Sequence, residues 1–404
     1  MDIAGPHVES SAVERAQSWR PLDRAEAVAA LSAEGPALAA LRERARRLRD
    51  DAKGRIVTYS RKAFLPVTNL CRDRCAYCTF RRDEGEDGAW TMTPDEIRAW
   101  SERARRLGCR EALLCLGDKP EAVAPGYRSW LASQGHASTI AYVAEASRLA
   151  LEQGLLPHSN PGLMSAEDLA LLRPVNVSLG LMLETTSERL RGRGQAHYYA
   201  PDKEPALRLQ VLEDAGRQRI PFTTGLLIGI GETAEERVDT LLAIGEVQRR
   251  HGHIQEVIVQ NFRAKPEIPM ATCEEPDAVD LARTVAVARL LLGPAMNLQV
   301  PPNLSSPEAV AYLLDSGIND FGGISPLTPD YVNPEAPWPH IGALARDCEQ
   351  AGYALRERLA IYPEYIDRAG FLDPALEERV AAEWAAIRPA EEGRAGFSIQ
   401  EIAT

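Results

Sequence analysis

From residue 63 onward the chain alternates short apolar runs with longer amphipathic segments. The runs are AFLPVTN (63–69), EALLCLG (111–117), LLPHSN (155–160), VNVSLGLML (175–183), IPFTTGLLIGI (220–230), IQEVIVQNF (254–262), MNLQVPPNL (296–304) and INDFGGIS (318–325). Between and after them, apolar residues recur at helical spacing over 94–107, 138–153, 165–172, 203–218, 233–249, 276–291, 306–316 and 341–353. Short apolar strands that alternate with such helices predict parallel βα units. Two helix starts are marked in the sequence. Thr93-Pro94 precedes an acidic first turn, and Thr233 is followed three residues later by Glu236. Eight units in roughly 290 residues predict an α/β fold, a closed (β/α)8 barrel of TIM type over residues 56–345. An open doubly wound sheet is the alternative arrangement.

The flanks differ from this rhythm. Residues 1–55 predict a helical N-terminal extension, with two helices over 23–50 broken near Gly35-Pro36 and their charged faces in solvent. Residues 346–404 predict a helical C-terminal extension, in which PALEERVAAEWAAI (374–387) is amphipathic and the last dozen residues are frayed. The segment Gly117–Gly135 follows the second apolar run and reads as a loop at the C-terminal end of a strand, where barrels build their sites.

Composition narrows the function. The 404 residues are 45% hydrophobic and 26% charged, which is globular and excludes general disorder. A net charge of −12 argues against nucleic acid as a partner, because such binding rests on cationic contacts to phosphate. No apolar run approaches the roughly 18 residues that span a bilayer. The opening MDIAGPHVESS lacks the basic and apolar regions of a signal peptide. These features predict a cytoplasmic protein with neither membrane nor nucleic acid as a partner.

Seven cysteines without an export signal do not suggest a disulfide framework. Cys109, Cys115, Cys273 and Cys348 are scattered, whereas Cys71, Cys75 and Cys78 form a C-x-x-x-C-x-x-C cluster within TNLCRDRCAYCTF. Chance gives on the order of 0.002 such triplets at this cysteine content. Three buried thiols on one helical face are one reading, but Arg72, Asp73 and Arg74 are polar for that role. A structural zinc site is another, but it ordinarily needs four ligands, and no second pair is evident. Three thiolates on a [4Fe–4S] cluster, with the fourth iron open, fit a reactive site just past the first strand.

The triplet, with Tyr77 immediately before its third cysteine, resembles that of the radical S-adenosylmethionine (SAM) enzymes. The resemblance implies that Cys71, Cys75 and Cys78 hold a [4Fe–4S] cluster. It also implies that SAM binds the fourth iron and yields a 5′-deoxyadenosyl radical. Gly117-Asp118-Lys119-Pro120-Glu121 lies where that superfamily contacts the cofactor amino group through backbone. Glu184 stands at the end of the fourth strand, near where relatives place a ribose or amino-acid contact. GLLIGIGE, with Gly225, Leu227 and Gly229, resembles the adenine-contacting strand, with Leu227 in place of isoleucine. Its glycines permit close backbone approach to a flat ring.

Within that superfamily, residues 56–345 resemble the CofG-type subunit (subunit 1) of FO synthases. The matching stretches include YSRKAFLPVTNLCRDRCAYCTF (59–80), LCLGDKPE (114–121), LRGRGQAHYYAPDKEPALRL (190–209), VIVQNFRAKP (257–266) and GINDFGGISPLTPDYVNPEAPWPH (317–340). The resemblance implies closure of the deazaflavin ring of the coenzyme F420 precursor, with loss of ammonia. It also implies a substrate supplied by a separate CofH-type subunit, and a ferredoxin or flavodoxin-type electron donor. Relatives of the CofH, aminofutalosine-pathway, biotin synthase and HydE kinds are the alternatives, and a non-catalytic zinc or iron–sulfur scaffold is a different class.

An uncharged substrate rich in hydrogen-bonding groups calls for polar strand-end residues. The candidates are His158, Asn160, Gln260, Asn261, Asn303, Asn319, Asp320 and Ser325, with His158 and Asp320 as the groups that move a proton. His197, Tyr198 and Tyr199 lie in the loop after the fourth unit, as caps over the substrate or as loop packing. Arg191 and Arg193 are read as surface contacts, and Cys115 as buried packing. Arg72, Arg74, Arg81 and Arg82 offer a basic patch for an acidic electron donor, or simply a solvated surface.

Overall fold

The computed structural model describes residues 19–304, 306 and 308–388. The C-terminal dozen expected to fray lies outside these residues, as does the start of the N-terminal extension. Eight parallel strands form a closed barrel: β1 (Ile56–Thr68), β2 (Glu111–Leu116), β3 (Leu156–Asn160), β4 (Ser178–Gly180), β5 (Phe222–Ile228), β6 (Ile254–Asn261), β7 (Leu298–Gln299) and β8 (Asp320–Ile324). They pair in chain order, and β1 closes the ring by bonding both β2 and β8. All eight expected strands are therefore present, and the barrel prevails over the open sheet. β4 and β7 are only three and two residues long, so the apolar runs that predicted them continue into irregular backbone.

Helices follow the strands as the apolar spacing requires. Thr93 and Thr233 each form a capping box, the first with Glu96 and the second with Glu236, which fixes two helix starts at Pro94 and Ala234. The two N-terminal helices span Arg24–Ala30 and Gly35–Lys53, with Gly35 at φ +48° at the break. Their charged surface is not wholly solvated. Arg49 is fully buried, donating to Leu314 O at 3.0 Å and to Ile318 O, which ties the extension to the barrel. The segment read as the loop 117–135 also contains a helix, Pro125–Ser133.

The C-terminal extension holds more than helix. β9 (Ala354–Arg358) pairs in parallel with Ile56–Ser60 of β1. β2 begins its pairing only at Lys62, so β9 occupies the same edge of β1 below it. The next residues pack under the barrel, where Leu359, Ile361 and Tyr362 join Leu156 and Val177 in one buried cluster. ALRER carries three charges in five residues and no alternation, so pattern alone does not announce a strand there.

Candidate active site

A cavity of about 380 Å³ runs through the barrel, lined at one end by Cys71, Cys75 and Cys78. The cysteines lie on the loop that leaves β1 at the C-terminal rim. Two segments brace this loop. Gly117 N–H donates to Thr68 O at 3.0 Å, Arg72 N–H to Asp118 O at 2.9 Å, and Asp118 N–H to Cys71 Sγ at 3.1 Å. A Cβ on Gly117 would lie 2.0 Å from Leu70 O and 2.5 Å from Cys71 Cβ, so only glycine fits. On the other side, Arg74 N–H donates to Tyr199 O and Ala76 N–H to Ala196 O, both at 2.9 Å. Burial pushes the Cys71 thiol up to about 12 and the Cys75 thiol well above its ordinary value. A bound metal reverses that preference, because the thiolate is the ligand.

Tyr77 reaches a second buried group. Its hydroxyl donates to Glu184 and lies 3.0 Å from His197 Nε2. Glu184 adopts φ +64°, fixed by its N–H donating to Gly225 O at 2.9 Å and its carbonyl accepting from Leu227 N–H at 3.1 Å. Lys203 Nζ lies 2.5 Å from the other carboxylate oxygen. Burial alone would raise the Glu184 carboxyl, but Lys203, His197 and Arg208 outweigh it and hold the group anionic.

A third group is acidic. One carboxylate oxygen from each of Asp73, Asp118 and Asp202 lies within 4.8 Å of the others, and all three residues are buried. Asp73 Oδ2, Asp118 Oδ1 and Asp202 Oδ2 accept no hydrogen bond among the described residues. Burial and the charge of Asp202 push the Asp118 carboxyl up to about 7. Asp73 and Asp118 line the cavity beside the cysteine loop, and these three oxygens are themselves closed off from it.

On β5, Leu227 lines the cavity, while Gly225 and Gly229 do not. They act through packing, since a Cβ on Gly225 would lie 2.2 Å from Ile258 O and one on Gly229 2.4 Å from Pro276 Cγ. The following turn is held by Glu232, which accepts from Gly229 N–H at 2.8 Å and Ile230 N–H at 2.9 Å.

His158 lines the cavity from the middle of β3. Ser178 Oγ donates to Ala360 O at 2.7 Å and lies 2.7 Å from His158 Nδ1. The serine proton is thereby used, so Nδ1 carries the imidazole proton and Nε2 keeps its lone pair. Burial pulls the His158 pKa down to about 4, against the opposing charge of Glu111. Asp320 sits elsewhere. It opens β8, at the N-terminal end of the barrel and off the cavity lining, with Arg358 Nε and Nη2 at 2.6 and 2.9 Å.

Of the other expected groups, Asn160, Gln260, Asn261 and Cys115 line the cavity. Asn319 instead accepts from Arg289 and from Leu298 N–H, both at 2.9 Å, and Asn303 donates to Asp330 at 3.0 Å. Ser325 lies 2.7 Å from Thr328 in a local turn. His197 is buried against Tyr77, whereas Tyr198 and Tyr199 are exposed. Arg191 pairs with Glu188 at 2.9 Å. The basic patch is largely compensated: Arg74 and Arg81 share Asp83, Arg72 faces Asp202 at 3.5 Å and Arg82 faces Glu86 at 3.8 Å.

Sequence reasoning passed over Lys62, Glu111, Glu256, Gln299 and Arg358, all of which line the cavity. The signal was present for three of them. Lys62, Glu111 and Glu256 are charges within or beside apolar runs, and a charge on a buried strand needs a partner or a ligand.

Comparison with known proteins agrees with this geometry. The model of the Radical SAM superfamily matches residues 65–244. The chain is 50% identical over 317 residues to a 7,8-didemethyl-8-hydroxy-5-deazariboflavin synthase of Methanopyrus kandleri, covering 78% of this chain and 94% of that protein. It is 49% identical to an FO synthase of Streptomyces coelicolor and 48% identical to one of Mycobacterium tuberculosis, each over 94% of this chain. The chain spans about half the length of those two, 45% and 47%. Among solved structures, methylornithine synthase (PylB) aligns with TM-score 0.67 at 20% identity, over 85% of this chain and 97% of that one. The hydrogenase maturase HydG aligns with TM-score 0.71 at 17% identity, over 94% and 90%. These two likenesses concern the fold. No helix among the described residues is long and apolar enough to cross a membrane.

Proposed function

Because the chain belongs to the radical SAM superfamily, and within it to the 7,8-didemethyl-8-hydroxy-5-deazariboflavin synthase family, we propose that it closes the deazaflavin ring of FO. The substrate is 5-amino-5-(4-hydroxybenzyl)-6-(D-ribitylimino)-5,6-dihydrouracil; the products are FO, ammonia, 5′-deoxyadenosine and methionine. One observation carries the reading. Three cysteines on a braced loop line one end of a cavity inside a closed barrel, with charged and amide side chains among its other walls.

In this reading Cys71, Cys75 and Cys78 hold a [4Fe–4S] cluster. Gly117, Asp118, Tyr77, Glu184 and Leu227 line the cavity and would surround SAM, while Gly225 and Gly229 let the strand and its turn pack closely. When bound, this pair of cofactors supplies a carbon radical able to abstract a hydrogen atom from the substrate. The chain's residues do the rest. Asp73 and Asp118, which line the cavity beside the cysteine loop, would offset the positive charge of the cofactor. Anionic Glu184, held by Lys203, orients Tyr77 and so the turn that carries the third cysteine. His158 Nε2, neutral and unprotonated, takes a proton from the substrate and passes it to the departing amine, which leaves as ammonia. Asp320, bound to Arg358 just behind the cavity lining, serves as a structural counter-charge. The barrel wall keeps bulk water from the reacting carbon.

The benzylated substrate comes from a CofH-type subunit, and the reducing electron from a ferredoxin or flavodoxin-type donor. The test is anaerobic reconstitution with iron and sulfide, followed by reductant, SAM, tyrosine, the ribityl diaminouracil and a CofH-type protein. Fluorescent FO that forms only when both proteins are present supports the reading. Deoxyadenosine without FO would leave the radical chemistry and remove the substrate.

A further inference from the structure

The cavity has a charged end opposite the cysteines. Lys62 and Glu111 are register partners on β1 and β2, and Lys62 Nζ lies 2.8 Å from Glu111 Oε1. Glu256 on β6 accepts from Arg358 Nη2 at 2.9 Å, from Tyr362 OH at 2.9 Å and from Thr223 Oγ1 at 3.0 Å. Lys62, Glu111, Thr223, Glu256 and Arg358 all line the cavity, and all are buried. Six residues of β1, about 20 Å of strand, separate Lys62 from Thr68 at the cysteine rim.

This floor is built by omission on neighbouring strands. A Cβ on Gly323 would lie 1.8 Å from Lys62 Cε, and one on Gly322 would lie 2.2 Å from Gln299 Nε2. A Cβ on Gly180 would lie 2.9 Å from His158 Nε2. Three glycines thus clear room for three polar side chains inside one barrel. Gln299 is 7% exposed, and its carboxamide makes no hydrogen bond among the described residues. A buried amide without a partner is costly unless a ligand completes it.

The charge balance selects the ligand. Lys62 is answered by Glu111, and Arg358 by Glu256 and Asp320, so the floor carries no free positive charge. A phosphate or carboxylate would find no counter-ion there. Hydroxyl groups both donate and accept, and they can join carboxylate oxygens, an ammonium and an amide without disturbing the pairs. We propose that the floor formed by Lys62, Glu111, Glu256, Gln299 and Arg358 binds the uncharged polyhydroxyl chain of the substrate. This rests on the FO reading. It sets the substrate's orientation: the ribityl chain points down to β9 and the ring system up toward the cysteines.

The test uses anaerobically reconstituted protein and three fluorescent deazaflavins: FO, its analogue with methyl in place of ribityl, and FO 5′-phosphate. Fluorescence titration should show FO binding at least about tenfold more tightly than either analogue, the size expected from a few hydrogen bonds. Gln299→Leu should cut the preference for FO over the methyl analogue several-fold. The double change Lys62→Met, Glu111→Gln removes the pair without leaving a buried lone charge, and should do the same. Iron content equal to wild type confirms that each variant keeps its cysteine loop. Equal binding of FO and the methyl analogue would overturn the floor and leave the FO reading intact. Tighter binding of the phosphate would also overturn it. Binding of none of the three would remove the FO reading and this inference with it.

Discussion

Glu184 receives the Tyr77 hydroxyl on one carboxylate oxygen and holds Lys203 Nζ at 2.5 Å on the other. The residue ahead of the third cysteine is thereby tied to the strained backbone after β4. Tyr77→Phe removes that tie but leaves Lys203 and His197 on Glu184. We expect iron content near wild type and deoxyadenosine formation lower on the order of tenfold, the cost of one hydrogen bond to a charged group. Iron assay and chromatography of deoxyadenosine check both.

The cysteines divide by position. Cys75→Ala should lose the reconstituted iron absorbance and all deoxyadenosine. Cys109 is fully buried behind the barrel wall, away from the cavity. Cys109→Ala should keep full iron loading and lose about 1 kcal/mol of stability or less, read by denaturant unfolding.

Gly117→Ala tests the brace. The added methyl must move Leu70 or Cys71, both backbone-anchored at 2.0–2.5 Å. We expect iron per protein to fall to less than about half, with the far-UV spectrum retained, since packing clashes cost roughly 1–3 kcal/mol locally.

Acid should weaken the fold through His158. Its folded pKa, about 4, lies below the ordinary value of 6.5 because the ring is buried. Between those values the unfolded chain binds the proton and the folded chain does not. The His158 contribution to stability therefore falls as pH drops from 6.5 toward 4, by about 2 kcal/mol at pH 5. His253, also buried and pulled down to about 3, adds to the same slope. The Asp118 carboxyl, pushed up to about 7, works in the opposite direction over the same range, so the His158 share is read as a difference: between pH 8 and pH 5, His158→Gln should lose about 2 kcal/mol less than the wild type in urea unfolding.

Among the described residues, Arg358 is the cation that forms an ion pair with both Glu256 and Asp320. Arg358→Leu would strand two buried carboxylates and should cost about 3–5 kcal/mol of unfolding free energy, measured in urea. Arg358→Lys should recover only part of it, because a single ammonium lacks the planar fork that spans both acids.

Much of this molecule is legible in the sequence. Eight apolar runs gave eight strands, since a strand buried on both faces must be apolar along its length. The cysteine spacing and the GDKPE segment were legible because ligands and glycine turns sit close in sequence. Asp320 was misplaced because its run, INDFGGIS, shows no sign of where its strand begins. The strand starts at the aspartate itself, so the side chain lies at the base rather than the rim. The floor was missed because its parts come from β1, β2, β6, β7 and β9, and no local pattern joins Lys62 to Glu111 or Arg358 to Glu256. β9 was missed because backbone pairing to β1, rather than alternation, makes it a strand.

That ninth strand bears on how the protein is made. It pairs Ala354 with Ile56, so the first barrel strand waits for a segment translated nearly three hundred residues later. Loop closure of that span is entropically slow. While the nascent chain lacks Arg358, Asp320 and Glu256 have emerged without their cation, and the interior carries uncompensated acid. The wall of the barrel is thus complete in synthesis before its base is, and the two acids gain their cation only once β9 has emerged.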